Sequence, residues 1–392
     1  MLRIVHATTF LHPDRYGGAE RVVHGLARAQ AEAGHDVTVV TGNHDGRAAR
    51  EDRDGFRLER FPMPRGARGL QFFRAAARGC SALLQELRTP GFDILHTHQV
   101  ATAGPALSEK GLARSKIHSF YAPYSEEFAA ERGRSGPLGL IPRLKSVALK
   151  RLDRRCVLLA DRTVVLSETS RRQLSRLAGS ARIRLAKVRP GVDLQRFFPA
   201  DRKETGRTPT ILTVRRLVRR MGLDVAISAV ARLKNAGRDL KFQIAGEGPE
   251  RTRLQRLIRE LGLRDRVTLL GPVADEALPD LYRAADLFLL PTRDLEGFGM
   301  ATLEALACGL PVLGTDVGAT LELISDLTPG VPLVPCEPVG MASGLAAALE
   351  RLFELAGRAR QAAGRIAETC SWQASSARME QVYLEALAES GR

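Results

Sequence analysis

Several features are scarce or missing in this 392-residue sequence, and each absence narrows the class of protein. No apolar run approaches the roughly 18 residues that cross a bilayer, and the start, MLRIVH, lacks the cationic start and long apolar core of a signal peptide. The five cysteines lie far apart without a Cys-x-x-Cys pair, which argues against a structural zinc site and a disulfide framework. We therefore expect a cytoplasmic chain with small, buried cysteines.

Aromatic residues are also few, at 5% of the chain with one Trp and five Tyr. None is interleaved with the basic runs, so stacking platforms for bases are not evident and no nucleic-acid partner is expected. The other proportions, 44% hydrophobic and 26% charged residues, are those of a globular protein. The length favours two or three domains.

Positive charge is concentrated in the first half of the chain. Residues 1–190 contain 33 Lys and Arg against 18 Asp and Glu, while residues 191–392 contain 26 of each. The densest basic segment, 132–155, places its cations beside an apolar stripe at helical spacing. This pattern is typical of a helix lying on an anionic membrane, here the inner face, but an ordinary surface helix packed on the core has the same pattern. A positive surface also suits an anionic acceptor.

Short apolar runs alternate with segments of helical period along nearly the whole chain, which predicts parallel βαβ units and an α/β fold. Strands are predicted over 2–6, 36–41, 92–98, 116–121 and 161–167, and then over 210–214, 240–245, 267–270, 287–290, 311–313 and 331–334. A polar stretch, 200–210, is interpreted as a hinge region. We predict domains over 1–189 and 190–371, with a C-terminal helix in 372–392 that returns to the first domain.

The most informative stretch is 296–311 (EGFGMATLEALACGLP), which follows an apolar strand. Gly297 and Gly299 allow the backbone to come close to a ligand where a helix begins, so its amides and dipole favour an anion. At about 1.5 Å per residue, Glu296 and Glu304 are separated by roughly 12 Å. One carboxylate can then bind a sugar and the other a ribose, with a diphosphate between them. The alternative is an ordinary helix in which Glu296 lies at the N-terminus, where the helix dipole stabilises it, and Glu304 is solvated.

This Glu-x7-Glu segment resembles the donor-binding signature of the retaining glycosyltransferases of family 4. Other segments resemble further motifs of that family in the same order along the chain: Gly17-Gly18-Ala19-Glu20, Asp93-Ile94-Leu95-His96-Thr97-His98, Gly191-Val192-Asp193 with Phe197, and Gly246-Glu247-Gly248-Pro249. The resemblance implies the GT-B fold, in which two Rossmann-like domains with parallel sheets face each other across an interdomain cleft.

The resemblance also implies roles for individual residues. Glu296 is expected to contact the donor sugar, Glu304 the ribose, and Arg216 the diphosphate. The residues expected to bind the nucleotide sugar, which is a donor substrate and not a resident cofactor, are Gly17, Gly18, Arg216, Arg220, Gly246, Glu247, Glu296, Gly297, Phe298, Gly299 and Glu304. Catalytic roles are expected for Glu296, Arg216, His98 and Tyr121.

The chain departs from the family pattern near the expected diphosphate. The segment 216–222 (RLVRRMG) has Met221 where the family usually has Lys, and a neutral thioether cannot neutralise a phosphate. We predict that Arg219 or Arg220 supplies the missing charge, because a guanidinium can bind a phosphate bidentately. The alternative is that both arginines are solvated surface residues.

A second departure concerns the first domain. Tyr121, in the segment 120–123 (FYAP), replaces the His that many relatives place near the anomeric centre, with His118 three residues earlier. Either the Tyr121 hydroxyl donates a hydrogen bond near the anomeric centre, or the acceptor site is built from different residues. His96 and His98 share one face of a strand, as metal ligands can, but no third ligand is evident and the family uses none. We interpret His98 as a hydrogen-bonding residue of the cleft and His96 as structural.

Metal-dependent sugar transferases of the other common fold bind a cation through Asp-x-Asp, which Asp52-Arg53-Asp54 matches. No apolar strand precedes it, so a solvated loop is predicted and no metal is expected.

The sequence favours a retaining, metal-independent hexosyltransferase with a UDP-sugar donor, or GDP-mannose next, and a small-molecule, glycan or lipid-linked acceptor. The alternatives are a GT-B epimerase or phosphorylase, or a non-catalytic nucleotide-sugar-binding protein.

Overall fold

The computed structural model describes residues 1–15, 17–131, 140–199, 208–331 and 333–390, which form two compact units. Unit 1 comprises Met1–Glu126, Pro137–Gly191 and Trp372–Arg392, and unit 2 comprises Glu127–Gly136 and Val192–Ser371. Both units combine a sheet with helices, so the predicted α/β class is confirmed. Residues 200–207 of the predicted hinge and 132–139 of the basic segment lie outside the described residues.

Unit 1 is built on an eight-stranded sheet, whose strands are β1 (Arg3–Ala7), β2 (Asp36–Asn43), β3 (Arg50–Arg53), β4 (Phe56–Pro62), β5 (Phe92–Thr97), β6 (Ala113–Phe120), β7 (Arg162–Val165) and β8 (Leu185–Lys187). Their spatial order is β3-β4-β2-β1-β5-β6-β7-β8. All neighbouring strands are parallel except β3 and β4, which form an antiparallel hairpin. The chain therefore returns to the sheet mostly through helices, as parallel strands require.

The helices of unit 1 that precede residue 191 are α1 (Gly18–Glu32), α2 (Gly69–Glu86), α3 (Val100–Ser108), α4 (Tyr124–Glu131, which extends into unit 2), α5 (Leu140–Leu159) and α6 (Glu168–Ala178). One apolar cluster joins central strands to α1, with Ile4, Val23 and Leu26 inaccessible or nearly so. A second cluster packs α2 against other strands through Cys80 and Leu84. Burial of these apolar side chains on both faces stabilises the parallel sheet.

Unit 2 has a five-stranded, fully parallel sheet of β9 (Thr210–Val214), β10 (Lys241–Ala245), β11 (Val267–Gly271), β12 (Leu287–Leu290) and β13 (Val312–Gly314), in the order β11-β10-β9-β12-β13. Its helices are α7 (Leu223–Asn235), α8 (Arg251–Glu260), α9 (Leu278–Ala284), α10 (Met300–Ala307), α11 (Thr320–Leu327), α12 (Pro338–Glu350) and α13 (Leu352–Thr369). The core lies between the sheet and helices such as α7 and α12.

The last helix, α14 (Trp372–Ser390), belongs to unit 1. Its Met379, Val382 and Tyr383 are buried in the same apolar cluster as α1. Gly25 of α1 lies against the Trp372 indole so closely that a Cβ at residue 25 would come 2.2 Å from Cε2 of that ring. Within the described residues, none of the helices is both long and apolar enough to span a membrane.

Two local predictions were wrong. Residues 331–334 were expected to form a strand, but in the described part of this segment only an isolated bridge between Thr315 and Val334 is formed. Asp52-Arg53-Asp54 was expected to be a solvated loop, but Asp52 and Arg53 lie in β3 and Asp54, with φ +49°, begins the turn of the hairpin. Strand β3 has the sequence REDR and therefore lacks the apolar pattern that marks a buried strand.

Candidate functional site

The carboxyl ends of β9, β10 and β12 lie side by side in the sheet of unit 2, where parallel α/β sheets bind ligands. The loop that follows β10 comes into very close contact with the loop that follows β9. A Cβ at Gly246 would lie 1.9 Å from the carbonyl oxygen of Arg215, and a Cβ at Gly248 would lie 2.4 Å from that of Leu217. Any residue with a Cβ would therefore clash with the backbone at both positions, and Gly246 also has φ +136°. The side chain of Glu247, between them, pairs with Arg251 at 3.3 Å.

Arg215, which sequence reasoning missed, forms a buried ion pair with Glu296. Its guanidinium donates hydrogen bonds to the Glu296 carboxylate and to the Thr292 hydroxyl, and the Thr292 hydroxyl in turn donates to Glu296 over 3.3 Å. The side chain of Arg215 is 5% exposed and that of Glu296 is 13% exposed. The neighbouring Arg216, for which the family resemblance implies a diphosphate contact, is exposed. Arg215, in the loop that follows β9, thus holds the Glu296 carboxylate in place.

Arg220 holds the loop that carries Glu296. Its backbone carbonyl accepts hydrogen bonds from the amides of Arg293 (2.9 Å) and Asp294 (3.3 Å), and its guanidinium donates to the Leu295 carbonyl at 2.6 Å. Leu295 has φ +54°, which is uncommon for a residue with a side chain, so these contacts maintain a strained turn immediately before Glu296.

The two candidates for the missing cation differ in burial. Arg220 is buried, and burial lowers the pKa of its guanidinium, whereas Arg219 is exposed. The Nε atom of Arg220 has no hydrogen-bond partner among the described residues. Met221 is itself 7% exposed and belongs to the apolar core of unit 2, so its thioether does not face an anion.

Helix α10 begins directly after the glycine-rich segment. Gly299 caps it in the left-handed conformation, with φ +85°, and Met300 is the first helical residue. Amides in the first turn of a helix have no intrahelical acceptor, and the positive end of the helix dipole lies at the same place. The backbone at Phe298 and Gly299 therefore presents an environment suited to an anion.

Glu304 lies on α10 and is 3% exposed, so the alternative of a solvated second carboxylate is wrong. Its carboxylate accepts a hydrogen bond of 2.9 Å from the Tyr282 hydroxyl. The Tyr282 ring packs edge-to-face on Phe197, with 5.9 Å between ring centroids. The turn at 193–197 thus supports Glu304 through one intervening aromatic side chain.

In unit 1 the loop between β1 and α1 is held by Gln99, another residue that the sequence did not single out. The Gln99 Oε1 atom accepts hydrogen bonds from the amides of Thr9 (2.8 Å) and Phe10 (2.9 Å), and its Nε2 donates to Glu20 at 2.9 Å. A Cβ at Gly17 would lie 2.0 Å from a Glu20 carboxylate oxygen, so the Glu20 side chain occupies the space above the first glycine. Gly18 begins α1.

His98 and Tyr121 are brought together at the carboxyl ends of β5 and β6. The Tyr121 hydroxyl lies 2.7 Å from Nδ1 of His98, and Nε2 of His98 lies 2.9 Å from Nδ1 of His6. His96 contacts the hydroxyls of Tyr383 (2.6 Å) and Ser119 (2.8 Å). Burial lowers the pKa of His96 and His98 well below the usual value.

The structure supplies the third histidine that the sequence did not reveal. Ligand atoms of His6, His96 and His98 lie within 4.8 Å of one another, which meets the ligand count of a metal site. Each of their six ring nitrogens, however, has a hydrogen-bond partner within unit 1. The arrangement is that of a hydrogen-bond network. No third ligand beside His96 and His98 was evident from the sequence, and His6 is the candidate that the fold brings to them.

Comparisons with known proteins identify the family. Residues 16–196 match the family model "Glycosyltransferase Family 4", and residues 195–382 match "Glycosyl transferases group 1". The chain belongs to the family 4 glycosyltransferases and has their GT-B fold of two Rossmann-like domains. The fold and family predicted from the sequence are therefore confirmed.

Among curated proteins, the chain is 38% identical over 205 residues to a D-inositol 3-phosphate glycosyltransferase of Nocardia farcinica, which is 48% of this chain and 45% of that protein. The chain thus spans about half the length of this relative. It is 28% identical over 410 residues to the glycogen synthase of Mycobacterium tuberculosis, which covers 98% of this chain and 95% of that protein.

Solved structures agree on the fold. The sucrose-phosphate synthase of Thermosynechococcus elongatus has a TM-score of 0.83 at 21% identity, with 99% of this chain and 100% of that chain covered. The Anabaena protein Alr3699/HepE in complex with UDP and glucose has a TM-score of 0.76 at 18% identity, with 98% and 100% covered.

Proposed function

We propose that this protein is a retaining, metal-independent glycosyltransferase that moves a hexose from a nucleoside diphosphate sugar to a hydroxyl group of an acceptor. The observation that carries the proposal is the arrangement around Glu296 in unit 2. An oriented carboxylate, a buried guanidinium and the start of α10 lie at the carboxyl end of one sheet, in the loops that follow its neighbouring strands β9 and β12. Such a set can bind sugar hydroxyls and a diphosphate at adjacent positions.

UDP-sugar is the favoured donor and GDP-mannose the next. The Anabaena neighbour was solved with UDP and glucose, which supports this order. In the proposed reaction the bond between the anomeric carbon and the diphosphate oxygen breaks, and a bond to the acceptor oxygen forms on the same face. The acceptor proton passes to the leaving phosphate.

Each part of the site has a role in that reaction. Glu296, held by Arg215, accepts hydrogen bonds from hydroxyls of the donor sugar. The backbone amides at Phe298 and Gly299 and the charge of Arg220 stabilise the leaving diphosphate, since fixed donors aimed at a developing charge need no reorganisation. Glu304, oriented by Tyr282, accepts from the ribose.

The experiment compares Glu296→Ala with Glu260→Ala, which removes an exposed carboxylate on α8 of the same unit. Hydrolysis of UDP-glucose and GDP-mannose is followed by release of the nucleotide, and binding of UDP and GDP is measured by calorimetry. We expect Glu296→Ala to abolish hydrolysis while it still binds UDP, and Glu260→Ala to behave as the unchanged protein. Unaltered hydrolysis in Glu296→Ala would contradict the assignment of the sugar contact.

We also propose that the acceptor is anionic or is presented on an anionic membrane surface. In the described part of the basic segment, Lys145, Lys150, Arg151, Arg154 and Arg155 are exposed, as is Val147. Just beyond this segment in α5, Leu158 is exposed and Cys156 is buried in contact with α3. The helix therefore packs on unit 1 with one side and carries its cations on the other. Sedimentation with phosphatidylglycerol vesicles should show binding that high salt abolishes, because salt screens exposed charges. Absence of any charge-dependent binding would contradict the membrane version of this proposal.

A further inference from the structure

Seven polar side chains of unit 1, which we call the histidine network, are linked by hydrogen bonds from Ser119 to Tyr121. Starting at Ser119, the network runs through His96, Tyr383, Gln30, His6 and His98 to Tyr121. The successive distances are 2.8, 2.6, 3.1, 2.7, 2.9 and 2.7 Å. It joins α1, α14 and the ends of three strands, and Tyr121 is its partly exposed member.

The histidines of the network are neutral. Burial lowers the pKa of His6 to about 4 and the pKa values of His96 and His98 well below normal. A neutral imidazole has one donor nitrogen and one acceptor nitrogen, so it accepts a hydrogen bond on one side whenever it donates on the other. In each ring of the network, the nitrogen that donates therefore leaves the other nitrogen as the acceptor. The direction of one hydrogen bond thus sets the direction of the next.

Gln30 sits in the middle of the network, where its amide has an acceptor end and a donor end. Its Oε1 faces Nε2 of His6 and its Nε2 faces the Tyr383 hydroxyl. His6 must then carry its proton on Nε2, so its Nδ1 accepts from Nε2–H of His98. Nδ1 of His98 consequently accepts from the Tyr121 hydroxyl.

The same reasoning applies on the other side of Gln30. The amide donates to the Tyr383 oxygen, so the Tyr383 hydroxyl donates to Nδ1 of His96, and Nε2–H of His96 donates to Ser119. Burial and the Glu20 carboxylate raise the pKa of Tyr121. A rotated Gln30 amide would reverse every bond and place the proton of each ring on Nδ1.

We propose that Gln30 is a positioning residue that fixes this direction, so that Tyr121 presents a lone pair of its hydroxyl oxygen, and not its hydrogen, to the acceptor substrate. From the sequence, Tyr121 was considered as a hydrogen-bond donor to the substrate, whereas in the network its hydroxyl oxygen accepts a hydrogen bond from the substrate. The acceptor is then recognised through a hydroxyl or amine hydrogen that it donates to Tyr121. The contact with the acceptor rests on the proposed function, whereas the direction of the network does not.

The tautomers can be read directly from the free protein labelled with ¹⁵N-histidine, by long-range ¹H–¹⁵N NMR. We expect His6, His96 and His98 to be protonated on Nε2. His118 is an internal reference of the opposite kind, because the Thr97 hydroxyl donates to the Ile117 carbonyl and therefore accepts from Nδ1–H of His118. Protonation of any of the three network histidines on Nδ1, or on both nitrogens, would overturn the proposal. So would stoichiometric Zn²⁺ binding that shifts all three rings.

Two variants test the role of Gln30 itself. Gln30→Met removes both ends of the amide, and Tyr383→Phe removes the hydroxyl to which the amide donates. Each variant should convert the single tautomers of His6 and His98 into mixtures while His118 is unchanged. Gln71→Met, at an exposed position of α2, is the matched control and should leave all signals unchanged. Pure Nε2–H tautomers in the folded Gln30→Met or Tyr383→Phe protein would refute the proposal. If the tautomers are as expected but no nucleotide sugar is hydrolysed, only the proposed function fails.

Discussion

Arg215 and Glu296 form an ion pair across the strand-end loops of unit 2, and the Thr292 hydroxyl joins both side chains. Such a pair fixes the carboxylate in one orientation. Because the Glu296 side chain is only 13% exposed, loss of Arg215 leaves a poorly solvated carboxylate without its counter-charge. Much of the cost of breaking a buried pair arises from the charge that remains.

We predict that Arg215→Met lowers the free energy of unfolding by about 2–4 kcal/mol, as expected for a broken, largely buried pair. Arg216→Met removes the exposed neighbour and should change stability by less than about 0.5 kcal/mol, while it weakens UDP binding. Urea denaturation and UDP calorimetry on both variants provide the measurement. Equal stability losses in the two variants would show that the ion pair does not support the fold.

Arg220 and Arg219 are distinguished by their effects on nucleotide affinity. Arg220→Met should weaken UDP binding at least about tenfold, equivalent to about 1.4 kcal/mol, because it removes both a charge and the contact to Leu295. Arg219→Met changes an exposed side chain and should have a small effect. If Arg219→Met instead weakens binding more strongly, the missing cation of the family pattern belongs to Arg219.

Acid should destabilise unit 1 through its buried histidines. Burial lowers the pKa of His6 and His118 to about 4, below the value of about 6.5 in the unfolded chain. Between these values the unfolded chain binds more protons, so stability is present above about pH 6.5 and is lost as the pH falls towards 4, by at most about 1.4 kcal/mol per unit for each histidine. The fluorescence of Trp372, the single tryptophan, reports on unit 1 in urea titrations at pH 7.5 and 5.5.

The variant His118→Asn keeps a donor near Thr97 but does not titrate in this range. It should lose about 1 kcal/mol less stability between pH 7.5 and 5.5 than the unchanged protein. Identical pH dependence in the two proteins would contradict the contribution of His118.

The contact between α1 and α14 allows a steric test. Gly25→Ala places a methyl group 2.2 Å from the Trp372 ring, so we expect a loss of about 1–3 kcal/mol and a red shift of Trp372 emission. Gly364→Ala in α13 has open space at its Cβ and should stabilise the protein by up to about 1 kcal/mol. Calorimetry measures both changes; a neutral Gly25→Ala would mean that α14 is not docked at Trp372.

The sequence predicts most of the parallel strands because buried strands such as β12 consist wholly of apolar residues. It misses β4, in which charged residues interrupt the apolar ones, and β8, which is only three residues long. It does not predict β3, whose charged residues leave no apolar pattern at the edge of the sheet. At the site, spacing identifies Glu296 but cannot show that Arg215, and not Arg216, is its partner, because a one-residue difference in side-chain direction depends on the fold. Likewise, His6 lies 92 residues from its partner His98, and only strand pairing brings them together.

In the proposed reaction the start of α10, between Glu296 and Glu304, binds the diphosphate of a nucleotide sugar. A crystal structure of the full chain with UDP tests it most directly. We expect phosphate oxygens within hydrogen-bonding distance of the Phe298 and Gly299 amides and the ribose hydroxyls on Glu304. UDP bound at any other position, with these amides contacting no phosphate, would contradict it.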